Sequence, residues 1–462
     1  MDLDLSVQSL WNSWCETVQM LNFSSSRKLT PLLSEHAADL LQSQTELFDW
    51  VHGFGSPLHI VMPDQAKTNL KHWQTVLQST YENCQVHFAL KACKSKSLLR
   101  TFAMAGAGAD VSSVQEMTSA FSNLVRTHDM ALTGPAKPDH EIEMALGHEI
   151  ALHIDCIEEL ERILSLVKIV GRVGPIFLRC RPEGEPNSRF GMTGDQIKLG
   201  FRLLKQAGMT QVGISFHLNN YKVSSRVEQL CFTLELARYA FDEGLHCSGI
   251  DIGGGFPMRY LDGFDPEVFQ NGEHWGDESK EGNYPYAEDT GGPYHAADAI
   301  ETALKVSDNR AFLMLHQVPI SLQPGRSLLD QCGLTVFEVI DVKDMGDKRR
   351  IVVLDGMSFS LSETWFDADF VPEPLIIQRD HSARPSDGAH YFLAGRSCLE
   401  RDIIRWRGLT PEGGIKRGDL TVFANTAGYQ MDSNESTFHQ IPIPRKISVT
   451  RRKSTWIPQL DE

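Results

Sequence analysis

A lysine at the end of an apolar, strand-like run is the first residue of this chain that could do chemistry. The run is Val86-His87-Phe88-Ala89-Leu90-Lys91-Ala92, and a polar stretch follows it. Desolvating an ammonium group at a buried strand end is costly, so such a lysine extends into solvent, pairs with an acid, or loses its proton. In the last case it becomes a nucleophile. Lys91 alone does not distinguish these alternatives.

Other strand-like segments also end in polar or charged residues. His217 closes one of them, with Asn219 and Asn220 just after it. A triple glycine, Gly253, Gly254 and Gly255, follows a second segment, and Gln323-Pro324-Gly325-Arg326 closes a third. Near the ends of two more lie Asp110 with Glu116, and Arg179. If all these ends meet at one side of the fold, they form a single mouth that contains a lysine, a histidine, arginines and carboxylates.

Alternation of strand-like and helix-like segments predicts the fold that joins them. Helical patterns such as Ile157–Val167, Asp195–Ala207 and Val227–Glu243 separate the strands. The pattern predicts an α/β protein with a (β/α)8 TIM-like barrel. A doubly wound open sheet is the alternative, but the glycine-rich phosphate turn expected after its first strand is missing. The predicted barrel strands are Val86–Leu90, Ala109–Val111, Met130–Thr133, Ile150–Ile154, Ile176–Leu178, Val212–His217, Gly249–Ile252 and Ile320–Gln323.

The sequence pattern is different on either side of the predicted barrel. After Arg326, short strands separated by Gly and Pro predict a second, β-rich C-terminal domain. Before Pro57 the pattern is helical, and the Gly- and Asp-rich segment 271–292 predicts a long loop, either a surface loop or a lid. The predicted C-terminal strands are Leu334–Val342, Arg350–Leu354, His390–Leu393 and Thr421–Ala424, and a further short strand is predicted at Leu58–Met62.

The last two barrel loops predict an anion site. A triple glycine exposes backbone N–H groups, and Arg326 in the next loop adds a fixed positive charge. Phosphate sites in barrels lie at these loops. A lysine nucleophile, a phosphate site and a histidine that could stack on a ring together indicate pyridoxal 5'-phosphate. The alternative for His217 is a core histidine with no role in chemistry.

Composition excludes several classes of protein. The net charge of -16 lacks the basic footprint of a nucleic-acid binder. The nine cysteines show neither CxxC pairs nor zinc-like spacing, so we expect reduced thiols and no metal site. The acidic start Met1-Asp2-Leu3-Asp4 is unlike a signal peptide, and no apolar run is long enough to span a bilayer. These features predict a cytoplasmic protein without nucleic-acid or membrane partners.

Taken together, the motifs resemble those of the fold-type III pyridoxal-phosphate decarboxylases, the ornithine, diaminopimelate and arginine decarboxylase group. The similarity covers residues 50 to 435. The segments that carry it are Phe88-Ala89-Leu90-Lys91-Ala92, Gly108-Ala109-Asp110-Val111-Ser112-Ser113, Ser215-Phe216-His217, Asp251-Ile252-Gly253-Gly254-Gly255-Phe256-Pro257 and Pro324-Gly325-Arg326, followed by Cys398 with Asp402 and by Gly428-Tyr429.

The resemblance implies a role for each motif. Lys91 forms the Schiff base with the cofactor, and His217 stacks on its ring. Cys398 is presented to the other subunit's active site, where it protonates the carbon left by CO2. The strand near Leu58 joins the β-rich domain. The other cofactor-binding residues are Asp110, Glu116 and Arg179 around the ring and lysine, Gly253, Gly254, Gly255, Arg326 and Tyr429 at the phosphate, and also Asn220, Gln323 and Gly325.

The implied domains are a helical extension over residues 1–45, a discontinuous β-rich domain over 46–63 plus 327–462, and the cofactor-binding barrel over 64–326. The implied assembly is a homodimer with shared active sites, in the manner of the alanine-racemase-like fold.

Three positions depart from the family pattern. Gln323 stands where the decarboxylases have a glutamate that keeps the pyridine nitrogen protonated, and an amide does this far less strongly. Leu399 replaces the acid that grips a distal cation of the substrate, with Glu400 one place later. Asn219-Asn220 replaces a Gly-Ser pair. Asp367, by contrast, aligns with another acid used for a distal amine, and Arg396 adds positive charge near Cys398. The predicted substrate residues are therefore Asp367, Arg396 and Glu400.

We predict a pyridoxal-phosphate-dependent decarboxylase of an amino acid or amino-acid derivative. A racemase or epimerase of the same fold is one alternative, which Gln323 favours because such racemases use a weakly protonated pyridine. A non-catalytic relative that binds a partner is another, and the presence of Lys91, His217 and Arg326 argues against it.

Overall fold

The computed structural model describes residues 29–263, 273–276, 291–361, 373–380 and 384–461. The chain forms two compact units. One, the sheet unit, contains the described residues of Met1–Gln65, Arg259–Asp289 and Leu329–Glu462, and begins with helices Glu35–Gln42 and Gln44–Phe54 and strand β1 (Leu58–Val61). The other, the barrel unit, contains Ala66–Met258 and the described residues of Thr290–Leu328.

Eight parallel strands close the barrel in chain order, which confirms the predicted fold. They are β2 (Cys84–Ala89), β3 (Gly108–Val111), β4 (Met130–Leu132), β5 (Ala151–Ile154), β6 (Ile176–Cys180), β7 (Gln211–Phe216), β8 (His246–Asp251) and β9 (Ile320–Leu322). The surrounding helices are Pro63–Thr80, Lys96–Met104, Val114–Ser122, Asp139–Gly147, Ile157–Val170, Gly194–Gln206, Val223–Asp242, Gly292–Lys305 and Asn309–Leu315.

Large rings opposite glycines fill the barrel interior. A Cβ on Gly108 would lie 2.4 Å from the His87 ring, and one on Gly213 would lie 2.4 Å from the Phe177 ring. His153 stacks on Phe177 with ring centroids 4.6 Å apart. Burial lowers the pKa of His87 to about 4 and that of His153 well below its ordinary value, so both rings are neutral packing groups. The barrel is therefore a filled core, and its chemistry is confined to one end.

In its described residues the sheet unit has nine strands. Strand β1 pairs antiparallel with β10 (Gly333–Asp344) and parallel with β16 (Arg445–Arg452), as the resemblance implied. The order is β14-β13-β11-β10-β1-β16-β17, and β15 joins β10 to β12. The remaining strands are β11 (Arg349–Leu354), β12 (Leu375–Ile377), β13 (His390–Ala394), β14 (Ile403–Leu409), β15 (Leu420–Ala424) and β17 (Thr455–Leu460).

The two amino-terminal helices cover this sheet. Leu40, Leu47 and Trp50 pack in one buried cluster with Ile60 of β1 and Val336 of β10. Ser34 caps the first helix by accepting the N–H of Ala37 at 3.2 Å. Residues 35 to 54 are thus part of the sheet unit's core. Residues 1–28 of the predicted helical region before Pro57, and most of segment 271–292, lie outside the described residues.

Within the described ranges, no helix is long and apolar enough to cross a membrane. The eight cysteines of those ranges are free thiols.

Candidate active site

A cavity of about 890 Å3 lies at the carboxyl ends of the barrel strands, and Lys91 lines it. Lys91 sits in a short 3-10 turn, Leu90–Ala92, directly after β2, where Leu90 and Ala92 are buried and anchor it. Its ammonium makes no hydrogen bond or salt bridge with other described residues. Lys137 shows the contrast, since its buried ammonium lies 3.2 Å from Glu159 and donates to the Gly134 carbonyl at 3.0 Å. Of these two lysines, Lys91 is therefore the one whose ammonium is available to a group bound in the cavity.

The His217 ring stands beside the glycine turn. Its Nδ1 accepts the N–H of Gly254 at 3.1 Å, so the proton of the neutral ring is on Nε2. Burial, with the positive charges of Lys91, Arg179 and Arg226, lowers the pKa of His217 to about 3. A neutral, oriented imidazole in the cavity wall suits stacking on another ring rather than acid–base catalysis near neutral pH.

Close packing explains the triple glycine after β8. A Cβ on Gly253 would lie 2.5 Å from the Phe216 carbonyl oxygen, and one on Gly254 would lie 2.5 Å from the Gln323 carbonyl oxygen. Gly253 and Gly255 also have φ values of 67° and 72°, which other residues rarely adopt. The N–H of Gln323 donates to the Gly253 carbonyl at 2.8 Å. The last two barrel loops are therefore joined directly.

Two of the three N–H groups of this turn have hydrogen-bond partners within the chain. The N–H of Gly253 donates to Asp251 Oδ1 at 2.7 Å, and the N–H of Gly254 donates to His217. The Asp251 side chain thus forms an Asx-type turn with Gly253, two residues later, so the Gly253 N–H is already hydrogen-bonded. Of the three glycine N–H groups, only that of Gly255 has no hydrogen bond within the described chain. Gly255 is therefore the glycine of this turn whose N–H is most available to an anion, and contact of Gly253 and Gly254 with a phosphate stays a prediction.

Arg226 holds the turn from behind, and the sequence did not reveal it. Its side chain is fully buried. It donates to the carbonyls of Ile252, Gly254 and Gly255 at 2.8, 3.0 and 2.9 Å. Its guanidinium also lies 4.3 Å from the Phe256 ring centroid. Burial lowers the pKa of Arg226 to about 9, so it stays charged at neutral pH and places a positive charge behind the anion site.

Asp110 and Glu116 flank Lys91 on the β3 side. Asp110 Oδ1 accepts the Thr133 hydroxyl at 2.7 Å, whereas Oδ2 is buried without a hydrogen-bond partner in the described structure. Glu116 accepts the N–H of Ser112 at 2.7 Å. Burial raises the pKa of both carboxyl groups, and the Lys91 charge opposes this shift. The orphaned Oδ2 is the kind of atom that a bound group satisfies.

Arg179 forms the opposite wall. Its Nη1 lies 3.1 Å from Asp155 Oδ1, which also accepts the N–H of Gly191 at 3.2 Å. The ring centroid of Phe190 lies 4.5 Å from the Arg179 guanidinium and 4.2 Å from that of Arg189. Arg179 is therefore paired and fixed, while Arg189 lines the cavity without an acidic partner among the described residues.

Asn220 lines the cavity, but the protein uses both ends of its amide. Its Nδ2 donates to Glu185 Oε1 at 3.0 Å, and its Oδ1 accepts the N–H of Lys222 at 3.0 Å. Glu185 also accepts the N–H of Asn219 at 2.9 Å. These contacts tie the loop after β7 to the loop after β6. Contact of Asn220 with a cofactor stays a prediction.

The predicted residues of the C-terminal domain lie in the sheet unit. Cys398 is exposed, and its N–H donates to His439 Nε2 at 3.2 Å. The Asp402 carboxylate accepts the N–H groups of Ser358 and Ser397 at 2.7 and 2.9 Å, which fixes the loop that presents Cys398. Tyr429 has a φ of 71° in a turn after β15.

The structure describes two of the three predicted substrate residues, Arg396 and Glu400. Arg396 pairs with Asp355 at 2.9 Å, and not with Glu400 or Asp402, so part of its charge is neutralised. The sequence did not indicate Asp355 as the partner of Arg396, because Asp355 lies more than 40 residues away in the chain, at the end of another strand. Glu400 is exposed on the same loop as Arg396. Asp367 lies outside the described residues.

Two family models match the chain. "Pyridoxal-dependent decarboxylase, pyridoxal binding domain" matches residues 64–276, and "Pyridoxal-dependent decarboxylase, C-terminal sheet domain" matches residues 221–427. The "Uncharacterized protein y4yA" of Sinorhizobium fredii is 33% identical, covering 91% of this chain and 94% of its own. The diaminopimelate decarboxylase of Staphylococcus aureus is 26% identical, covering 85% and 88%.

Solved structures show the same fold. Diaminopimelate decarboxylase from Helicobacter pylori, complexed with L-lysine, has a TM-score of 0.70 at 18% identity and covers 91% of this chain and 97% of its own. Lysine/ornithine decarboxylase from Vibrio vulnificus, complexed with putrescine, has a TM-score of 0.67 at 20% identity, covering 92% and 100%.

The barrel unit and the sheet unit define a two-domain barrel protein with a lysine in the wall of its cavity. The chain belongs to the fold-type III pyridoxal-dependent decarboxylases, whose cofactor is pyridoxal 5'-phosphate. Its own residues fit that cofactor. The cavity is lined by an unpaired lysine, by a flat neutral imidazole that contacts the Gly253–Gly255 turn, and by the buried Ser215 hydroxyl, which has no partner in the described chain.

Proposed function

We propose that this protein decarboxylates an amino acid, or a larger amino-acid derivative, with pyridoxal phosphate held by Lys91. The observation that supports it most is that Lys91 and His217 line one cavity, with the Gly253–Gly255 turn hydrogen-bonded to the His217 ring. The relatives named above act, by their names, on diaminopimelate, lysine or ornithine. We extend to this chain only the class of substrate, an amino acid.

Each residue has a part that its position supports. The cofactor withdraws electrons from the carbon that loses CO2. Lys91 binds the cofactor, while Arg326 and the Gly255 N–H hold its phosphate. His217 packs on the ring face, and Asp110 has a buried, orphaned Oδ2 that a bound group can satisfy. Cys398 of a second subunit donates the proton that replaces CO2.

The experiment that tests this function follows CO2 and stereochemistry together. The purified holoenzyme is incubated with a panel of amino acids, and both CO2 release and inversion at the α-carbon are measured. Release of CO2 without inversion supports a decarboxylase. Inversion without CO2 would establish the racemase alternative. A protein that shows no visible absorption after incubation with pyridoxal phosphate would instead be a non-catalytic relative.

A shared dimeric site gives a separate prediction. Lys91 and Cys398 belong to different units of the chain, and we expect two subunits to complete each site. Mixing inactive Lys91→Ala and Cys398→Ala proteins should restore roughly a quarter of wild-type activity. The reason is that half of the dimers are hybrids, and each hybrid has one intact site.

Subunit exchange is the control for this experiment. It is followed by native mass spectrometry on the same mixture, with one variant isotopically labelled. Hybrid dimers that form and remain inactive would show that each site is built within one subunit.

Substrate choice is the next prediction, and the structure changes its basis. Arg396 is paired with Asp355, whereas Arg189 lines the cavity itself without an acidic partner in the described ranges. Leu399 is 38% exposed and offers no charge to a distal amine. We expect ornithine and lysine to be turned over at least about ten-fold less efficiently than a substrate with an anionic or polar distal group, about 1.4 kcal/mol in kcat/KM.

Kinetics on a substrate panel measures this preference, and a matched pair of variants locates it. Arg189→Gln should reduce the preference, since it removes the unpaired charge. Arg396→Gln should leave it unchanged. Efficient turnover of ornithine or lysine, above acidic or conjugated amino acids, would contradict the prediction.

A further inference from the structure

Two neighbouring acceptor side chains lie on the cavity floor. Asp251 ends β8 and Gln323 follows β9, and both line the cavity. They are 1% and 8% exposed. Among the described lining residues, no other carboxylate or carboxamide side chain is buried, since Glu185 and Asn220 are only half-buried and Asn187 and Asn219 are exposed. Asp251 and Gln323 are therefore the buried carboxylate and carboxamide of the cavity lining that could meet a cationic N–H.

The contacts of Asp251 fix the orientation of the Gln323 amide. Asp251 accepts the Gly253 N–H at 2.7 Å, the Ser321 hydroxyl at 3.0 Å and Gln323 Nε2 at 3.1 Å. An ionised carboxylate only accepts, so Gln323 must present its NH2 group to Asp251. Its Oε1 is then on the opposite branch of the amide and is available to the cavity.

The contacts of Asp251 and a bound cation both favour its ionised form. All three partners donate to it in the structure, and the Gly253 N–H can only donate. Burial raises the pKa of Asp251 to about 7, and a cation bound in the cavity opposes that shift. A bound pyridinium would therefore hold Asp251 ionised.

The structure of pyridoxal phosphate indicates which of its atoms would lie against Asp251 and Gln323. In pyridoxal phosphate the ring nitrogen lies across the ring from the carbon that reacts with a lysine, and the phosphate arm is on a neighbouring carbon. Lys91 and the glycine turn account for those two positions, which leaves the nitrogen to be met by a buried acceptor.

We propose that Gln323 accepts a hydrogen bond from the protonated ring nitrogen through Oε1, and that Asp251 is a positioning residue that orients this amide and supplies the negative charge behind it. The inference rests on the proposed function, because it requires the cofactor on Lys91. A neutral amide alone would hold the proton weakly. A carboxylate one hydrogen bond away, in a buried site, polarises the amide and acts across a low dielectric. The two residues thus do the work of one carboxylate.

Nitrogen NMR of holoenzyme carrying ring-15N pyridoxal phosphate tests the proposal. Free cofactor below and above its own ring pKa supplies the protonated and unprotonated reference shifts. The wild-type signal should lie near the protonated reference. In Asp251→Asn the new NH2 faces Gln323, so the Gln323 amide must rotate and turn its own NH2 to the cavity. The signal should then move to the unprotonated reference, and kcat should fall on the order of ten- to a hundred-fold, as for other lost outer contacts of a site.

Exchanging the two groups gives the decisive variant. In Asp251→Asn/Gln323→Glu the carboxylate and the amide trade places, so the signal should return to the protonated reference. Ser321→Ala is the matched control, because it removes another donor to the same Asp251 oxygen without touching Gln323. Its signal should stay near that of the wild type.

Three results would overturn the proposal: an unprotonated wild-type signal, an unchanged signal in Asp251→Asn, or no return in the double variant. If Asp251→Asn does not fold, Gln323→Met takes its place, with the unprotonated signal expected and an unchanged signal contradicting the proposal. Failure of the proposed function looks different: wild-type protein would then either take up no labelled cofactor on Lys91, or take it up and release no CO2 from any amino acid of the panel.

Discussion

Lys91→Ala should abolish covalent attachment of the cofactor and lower activity by about a thousand-fold or more, equivalent to about 4 kcal/mol of activation free energy. The reason is geometric. Lys91 lines the cavity without a salt bridge to described residues, whereas Lys137 is buried against Glu159. Borohydride reduction of the wild-type holoenzyme, followed by peptide mass spectrometry, should find the added mass on Lys91, and the visible absorption of the bound cofactor should be absent from the variant.

Lys94→Ala and Lys96→Ala are the matched controls. Both lysines are exposed and lie within five residues of Lys91, but neither lines the cavity. Each variant should keep the adduct and most of the activity. An adduct on Lys94 or Lys96 in the wild-type protein would show that Lys91 is not the cofactor lysine.

Strand-end motifs made the barrel and much of its site predictable. Parallel strands deliver the residues after their carboxyl ends to one mouth, so Lys91, His217 and Gln323 could be placed together without coordinates. The structure brings them to one cavity. Such a pattern cannot show which way the backbone N–H groups of a turn point. It predicted that the glycine N–H groups face an anion, whereas Gly253 and Gly254 donate to Asp251 and His217.

The sequence did not indicate residues whose hydrogen-bond partners lie on a different element of the fold. Arg226 comes from helix Val223–Asp242 and reaches carbonyls about 26 to 29 positions away in the chain. The predicted helix began one residue after it. A signal did exist, since Arg226 and Gln229 lie on a face shared with Leu230 and Leu234, all of them buried. A buried arginine on an apolar helix face indicates a partner, but the partner is set by the tertiary fold.

Missed strands of the sheet unit have a related cause. Strand β14 carries Arg405 and Arg407, which are buried, and β16 carries Lys446, whose ammonium lies 2.7 Å from Asp432. Charged residues inside a strand disguise the alternation of apolar and polar positions. Other segments supply the partners of these charged residues, so the two strands could be recognised only in the folded chain.

Arg226→Met should both destabilise the barrel and weaken cofactor binding. The substitution removes the partner of three carbonyls, and each buried group left unsatisfied costs about 1–3 kcal/mol. Relief of the buried charge offsets part of this, since burial already lowers the pKa of Arg226 to about 9. We expect a loss of about 3–5 kcal/mol of unfolding free energy and a rise in cofactor Kd of about a hundred-fold, or about 2.8 kcal/mol.

Denaturant unfolding and absorbance titration with pyridoxal phosphate measure the two effects of Arg226→Met. Arg238→Met is the matched control on the same helix, because Arg238 is 29% exposed and pairs with Asp308 at 2.8 Å, remote from the glycine turn. It should cost about 1 kcal/mol and leave cofactor affinity unchanged. Equal losses of stability in both variants, with wild-type affinity retained in Arg226→Met, would mean that the glycine turn keeps its shape without the buried guanidinium. The positive charge behind the phosphate would then be dispensable.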